Sequence, residues 1–465
     1  MWTGKKRKIH WLFIFVISFL LNGCSGSKQS VPTFYSPSLS NPNVEVSKEV
    51  LLDNLQMCQS IHPHFGSTYP KDFVDSMVMI FQMGLPQSAV RTTESVLQQR
   101  KLFDHYTFED PHFRIIPQLY TAERGLTNKN IYVLPFTSIS FGDTLLISES
   151  FSPILKSGDR IIEINHTSVA DYLAYSYRDR YIHTPLLQTQ FHFAYSNNYH
   201  LLIERGEMIK YMIVEGITLP EYYQQVQNRP DWMLYPSYLA GSFRIDEFKD
   251  NKKIVDELSS FLNKMKRLGY KNLVIDLRWN PGGSGDQIES LMALISSKRL
   301  LYYQKEVKVK LTQENFNKYV FPRDSLNKLV SLPDRFVINH IEVSPSSFAR
   351  ELKLYVLVSR NTGSMAACFA NLIQYNDIGW VAGEPLLRNA LKYGEVVEER
   401  SGVATFFIST VEYDDYTKAV DGVLFPDIMI PYKVNQFMDG GDPVMDQLLA
   451  NIRFRQQINQ RRVRF

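Results

Sequence analysis

The spacing of apolar residues shifts along the chain, and each shift marks a different kind of element. From Val50, Leu51, Leu55 and Cys58 fall on one helical face, with His62 near that face before Pro63 stops the helix. Further helices are predicted from Lys71 towards Met83, ending near Gly84, and from Ser88 through Phe103. After Asn128 the pattern becomes strand-like. Ile131-Tyr132-Val133 and Thr144 to Ile147 read as strands. The turn Gly158-Asp159 then leads into Arg160 to Asn165, whose alternation suits a strand with one wet face.

Further on, Ile254, Val255, Leu258, Phe261, Leu262, Met265 and Leu268 describe an amphipathic helix that Gly269 can cap. The run Asn272 to Leu277 follows, continuously apolar as in a strand buried on both faces. A glycine-rich turn, Asn280-Pro281-Gly282-Gly283-Ser284-Gly285, leads to a helix from about Asp286 to Ser296. The unit then partly repeats. Leu354 to Val358 forms another buried-strand candidate, entering Asn361-Thr362-Gly363-Ser364 and the small, apolar run Met365 to Ile373. Further strands are predicted over Gly402 to Val411 and Gly422 to Ile430, with a final helix over Asp446 to Ile452.

The N-terminus differs in kind. Lys5, Lys6, Arg7 and Lys8 precede an apolar run from Trp11 to Leu21, too short to span a bilayer comfortably, which ends in Leu21-Asn22-Gly23-Cys24. This resembles a bacterial lipoprotein signal, which implies cleavage before Cys24 and lipid on its thiol. Residues 25–47 are rich in Ser, Pro and Asn and read as a tether.

Charge adds little. The full chain carries +3, and losing the four leader cations leaves the mature protein near −1. The basic C-terminal residues Arg453, Arg455, Arg461, Arg462 and Arg464 read as a solvated tail, and no nucleic-acid motif accompanies them. With 465 residues, 44% of them apolar, two or three globular domains are expected. Three cysteines make no disulfide scaffold; with Cys24 lipidated, Cys58 and Cys368 either pair or stay free.

Taken on the residues alone, Ser364 is equally a helix N-cap and a nucleophile. A strand that feeds a helix through a small-residue turn is how many hydrolases expose a serine. The helix amides beginning there can face an oxyanion, and Gly282 and Gly283 can bring a second amide close. The glycine turn lacks nucleotide-binding spacing, and neither HExxH nor clustered Cys/His ligands occur, so no cofactor or metal is indicated.

The segments Asn272 to Gly283 and Asn361 to Ala367 resemble the signature and nucleophile segments of the peptidase S41 family, which includes tail-specific and tricorn-type proteases. Gly383-Glu384-Pro385, Tyr393-Gly394 and Gly422 to Ile428 resemble later landmarks in the right order. Ala367 stands where the family usually has Glu. The resemblance implies an α/β fold: a ClpP/crotonase-like catalytic core with an N-terminal helical region and a PDZ-like β-rich module. Lys156 to Asn165 resembles the turn and strand of PDZ domains, with His166 where Gly is frequent. The organisation expected is a signal peptide (1–23), a lipidated tether (24–48), a helical domain (49–127), a PDZ-like module (128–190), a catalytic domain (191–440), and a C-terminal helix with its basic tail (441–465).

The tail-specific branch pairs its serine with a lysine about 25 positions on, where this chain has Asn389; Lys392 is near but outside that pattern. The tricorn-type branch implies His62 as the base, Asp421 as its acidic partner, and Ser60 as a support, with His64 in reserve. Gly283 and the Met365 amide are the oxyanion candidates. The expected activity is a serine endopeptidase of the cell envelope, membrane-tethered through lipid and acting on peptides or unfolded proteins. A peptide- or protein-binding lipoprotein with a degenerate site is the alternative, motivated by Ala367 and the uncertain acid.

Overall fold

The structure is a computed structural model. It describes residues 132–170, 181–183, 197–227 and 231–462 apart from 142–143, 314, 320, 388, 401–403 and 439–440, with 56–58, 60–63, 110, 112 and 114–117. The leader, Cys24, the tether, His64 and the helices predicted over 71–83 and 88–103 lie outside the described residues.

At the centre is a six-stranded sheet, ordered Trp232–Tyr235, Ala240–Arg244, Asn272–Asp276, Lys353–Val358, Trp380–Gly383 and Ile428–Met429. Its first pair is antiparallel and the rest are parallel. Register shows why these strands read as unbroken apolar runs. The row Phe243, Ile275, Val356 and Val381 faces one layer; Val274, Tyr355 and Trp380 face the other. The helices Asn251–Leu268, Ile288–Ile295 and Ser364–Tyr375 cover the first face. Val444, Met445, Leu448, Leu449 and Ile452 of the C-terminal helix cover the second.

The amphipathic helix forms as its sequence predicts. The Asp250 carboxylate caps it by accepting from the Lys253 amide, and Gly269 ends it at φ 73°. The last helix runs Pro443–Arg462, well beyond the predicted 446–452. Its later turns are too polar to show an apolar stripe, yet Arg455 still lies over the Trp380 ring, 5.0 Å from its centroid.

A second sheet is seven-stranded and antiparallel. Its main path is Tyr181–His183, Phe136–Phe141, Thr144–Ser150, Arg160–Ile164, Asn198–Arg205 and Met208–Glu215. The last two strands lie beyond the boundary expected at residue 190. Asn165 and His166 both take positive φ, 51° and 63°, in the turn to Thr167–Ser168, which explains why glycine suits His166's position. Leu145 and Ile147 point into this sheet's own core, whereas Ile139 and Leu146 join the layer under the central sheet. At the junction Gly158, φ 88°, lies so close to Met438 that a Cβ there would stand 2.3 Å from its carbonyl oxygen.

A third sheet pairs Ala404–Asp415 with Arg114–Pro117, Gln304–Lys310 and Tyr393–Arg400, and Leu329–Ser331 extends it from Gln304–Lys310. It joins Arg114–Pro117 to strands that follow the Ser364–Tyr375 helix.

Candidate active site

Two neighbouring strands of the central sheet, Asn272–Asp276 and Lys353–Val358, end side by side, and the turn after each is tied to the other. Thr362 Oγ1 donates to the Leu277 carbonyl at 2.8 Å, Ser359 Oγ donates to the Arg278 carbonyl, and the Gly363 amide donates to the Asn280 carbonyl at 3.0 Å. Buried Asn280 stitches further: its amide group donates to the Ile245 carbonyl at 2.9 Å and its Oδ1 accepts from the Gly282 amide at 2.8 Å. The joined turns hold Ser364 at the first position of its helix with φ 46°, a left-handed conformation costly for a residue with a side chain.

Glycine is required opposite it. A Cβ on Gly282 would stand 2.5 Å from the Ser364 Cβ, and one on Gly283 would stand 2.2 Å from the Phe248 carbonyl oxygen. These glycines have φ of 121° and 130°, open only to residues without a side chain. The backbone thus packs directly against the serine. Ser364 is partly exposed, whereas Ala366 and Ala367 are buried in the core.

Charge holds the glycine turn from below. Arg278 is buried and lies between two carboxylates, with Nη2 2.7 Å from Asp276 Oδ2 and Nη1 and Nη2 each 2.7 Å from Asp442. Asp442 also accepts from the Met445 amide at 3.0 Å, so the clamp joins this turn to the start of the C-terminal helix. Asp276 and Arg278 lie two residues apart on the same turn, and Asp442 comes to them from the far end of the domain. The later landmarks brace the same region. Glu384 accepts from the Arg360 amide at 3.2 Å, and Asp427 accepts from the Val381 amide at 2.8 Å.

The histidine region assembles differently from expectation. His62 Nε2 lies 3.0 Å from Asp110 Oδ2, and both groups are buried. Asp110 Oδ1 accepts from the His112 amide at 2.9 Å and lies 3.2 Å from His112 Nδ1. Burial alone would raise the Asp110 pKa, but hydrogen bonds from His112 and His62 outweigh it and hold the carboxyl well below its ordinary range. Asp421 is therefore not the partner of His62 here. It sits exposed at φ 48° in the turn Asp421-Gly422, between the bridged residues Val420 and Val423, and this geometry turns it to solvent. Nor does Ser60 steady His62, since its hydroxyl donates to the Met57 carbonyl at 2.7 Å within its own helical turn.

Asp110 and His112 were missed from sequence because Asp110-Pro111-His112 reads as an ordinary turn. The signal present was an acid whose side chain can accept the amide two residues on. The two imidazoles reach the core through neighbours. His62 contacts the Tyr393 ring at 5.4 Å between centroids, and Tyr393 follows the short helix Asn389–Lys392, which packs on the Ser364 helix. No hydrogen bond joins Ser364 to either imidazole in this structure.

Lys392 is poorly suited to be a base. Burial would lower its pKa, but the Tyr393 ring and Glu412, whose Oε1 is 3.2 Å away, outweigh that and hold the ammonium charged. Cys58 and Cys368 are both free.

Comparison with known proteins accords with this geometry. The chain matches the crystal structure of a CPAF point mutant with TM-score 0.55 and 14% identity, over 85% of this chain and 95% of that one. Mature CPAF complexed with lactacystin matches with TM-score 0.54 and 13% identity, over 87% and 97% of the two chains. At such identities these likenesses establish the fold. No curated protein sequence matches the chain. The Peptidase family S41 model matches residues 240–404, the stretch that carries four of the six central strands, the glycine turn and Ser364. Through that segment, the chain is similar to peptidase family S41.

Proposed function

We propose that this protein is a serine endopeptidase of the bacterial cell envelope, cleaving peptide bonds through an acyl-enzyme on Ser364. The observation that carries the reading is the joined pair of turns, which holds a serine in a left-handed backbone against Gly282 at the start of a helix. Such an investment of strain and glycine suits a nucleophile better than a helix cap. Ser364 Oγ attacks the peptide carbonyl, and the Gly283 and Met365 amides face the oxyanion that forms. An imidazole of the Asp110-anchored pair takes the serine proton and returns it to the leaving amine; water then releases the acyl group. That imidazole contact tightens when substrate binds, as catalytic hydrogen bonds commonly do. Lipid on Cys24 tethers the enzyme to a membrane, and peptides or unfolded proteins are its substrates.

The test is fluorophosphonate labelling of the full-length protein in detergent, with peptide cleavage followed by mass spectrometry. Wild type should label and cleave, and Ser364→Ala should do neither. A second reading, a peptide-binding lipoprotein with a degenerate site, is favoured by buried Ala367 where the family usually has Glu. Peptide binding by folded wild type without labelling or turnover would establish that reading instead.

A further inference from the structure

We infer that the end of the central sheet opposite Ser364 docks on an anionic phospholipid surface and so turns the nucleophile towards solution. The inference builds on the lipid tether of the reading above and is independent of what Ser364 does.

The C-terminal helix shows which groups share that end. It starts where the parallel strands finish, since Asp442 holds Arg278 just past the strand Asn272–Asp276. About 20 Å further along, at ~1.5 Å per residue, come Arg455 and Gln456. Arg455 lies over the ring of Trp380, the first residue of its strand. Gln456 Nε2 donates at 2.8 Å to the carbonyl of Tyr238, just before the strand Ala240–Arg244. The helix therefore runs the height of the sheet, from the joined turns to the edge where the strands begin. The helix Asn251–Leu268 ends at the same edge, because it leaves one parallel strand, Ala240–Arg244, and feeds the next, Asn272–Asp276.

Both helices bring cations there. The sequence reads the C-terminal arginines as a solvated tail, but the helix continues through Arg462 and carries Arg453, Arg455, Arg461 and Arg462 with it. From Gln447 to Phe465 the chain has five arginines and no acidic residue. The other helix closes on Lys266 and Arg267. Acids at this edge are already matched: Glu351 lies 2.6 Å from the Lys271 ammonium, and Asp377 pairs with Lys418. Among the described residues no carboxylate makes an ion pair with Arg267, Arg453 or Arg455.

Apolar side chains stand out among these cations. Phe454, between two of the arginines, is 60% exposed, and Leu239 and Leu268 at the same edge are half-exposed. Arginines beside exposed apolar groups suit an anionic headgroup layer, where the cations meet phosphate and the apolar groups enter the acyl boundary. Free phosphate would satisfy the cations and leave Phe454, Leu239 and Leu268 in water. The tether read over residues 25–47 would keep the domain within roughly 25 Å of a membrane, yet it fixes no orientation. Attraction acting over about 10 Å then selects the basic edge. Five-residue strands rise about 17 Å, so docking at that edge leaves Ser364 on the far side, open to peptides in solution.

The mature protein, purified with its lipid, is reconstituted on phosphatidylcholine vesicles with brominated acyl chains, with or without about one third phosphatidylglycerol. Phe454→Trp supplies the probe, and wild type supplies the background of the native tryptophans. The added fluorescence should be quenched at least roughly twofold more on the anionic vesicles. High salt should remove that difference, and so should Arg267→Glu combined with Arg453→Glu. These positions are exposed and lie outside the site, so each variant should keep the wild-type rate of fluorophosphonate labelling in detergent. Wild type itself needs no substitution: trypsin should cut after Arg453 several-fold more slowly on anionic than on neutral vesicles.

Equal quenching on both kinds of vesicle would overturn the proposal, because charge would not be what orients the domain. Absence of quenching on either would overturn it too, by leaving the basic edge in solution. Binding to duplex DNA in preference to anionic vesicles would assign the cations to nucleic acid instead. A wild type that never labels would remove the serine reading and leave this one standing.

Discussion

The central sheet of six strands and the antiparallel sheet of seven meet their surroundings differently. The central one is parallel over most of its width and covered by helices on both faces, so every residue of Asn272–Asp276 is buried. The seven-stranded one is antiparallel and leaves an edge strand, Met208–Glu215, with Ile209, Tyr211 and Ile213 all more than half exposed on its outer face. A doubly covered sheet offers chemistry only where its strands end. There the chain must turn in little space, and glycines, a buried ion clamp and a strained serine converge. The half-open sheet has no such crowding, and its outer face can change with little consequence. The difference is one of tolerance, and it can be tested by substitution.

The largest effect is expected at Gly282→Ala. The new Cβ would stand 2.5 Å from the Ser364 Cβ, at a φ of 121° that side chains avoid. The turn must shift to admit it, and displacing reacting groups by about 1 Å can cost on the order of 100-fold in rate. The peptidase rate of Gly282→Ala should fall at least that far. A variant with wild-type rate would show that the turn is less closely fitted than the central sheet's burial implies.

Next in size is the clamp beneath that turn. Arg278→Met leaves Asp276 buried with no cation, a change that typically costs about 3–5 kcal/mol, measured here as loss of unfolding free energy in urea. Asp442→Asn should cost less, because the Asp442 side chain is 45% exposed and water screens it. Its pH dependence is distinctive. Burial alone would raise the Asp442 pKa, but the Arg278 charge overrides this and lowers it. A carboxylate depressed in the folded state stabilises fully above its unfolded value, near 3.9, and that stabilisation is lost as pH falls through the folded value. The gap between wild type and Asp442→Asn should therefore be widest near neutral pH and shrink below about pH 4. A gap independent of pH would show that the carboxylate charge is not what ties the C-terminal helix to the turn.

The same contrast explains what could be read in advance. The central strands and the amphipathic helix were legible because burial on two faces, or on one helical stripe, writes directly into apolar spacing. Ser364 and the glycines were legible through a turn motif contiguous in sequence. The clamp on Arg278 left no such local trace, since Asp442 lies 164 residues from it. The acid of the histidine pair failed for a related cause. Asp110 is 48 residues from His62 and is brought there by the fold, whereas Asp421 had only its nearness to a landmark in its favour. The antiparallel sheet also runs past residue 190, because its outer strand carries apolar residues on both faces and so hides the usual wet and dry period.

That outer strand gives the smallest expected effect and the sharpest control. Ile209 and Ile213 are 66% and 56% exposed and point away from the core that Val214 and Tyr199 share. Replacing either with Thr keeps the β-branched shape that suits a strand and removes little buried surface. Exposed substitutions of this kind usually change stability by no more than about 0.5 kcal/mol. Ile209→Thr and Ile213→Thr should therefore unfold within that margin of wild type and keep its labelling rate, while Val214→Thr, on the buried face of the same strand, should be measurably less stable. If the outer substitutions cost as much as the inner one, the outer face must be covered in solution, and the half-open character of this sheet would have to be abandoned.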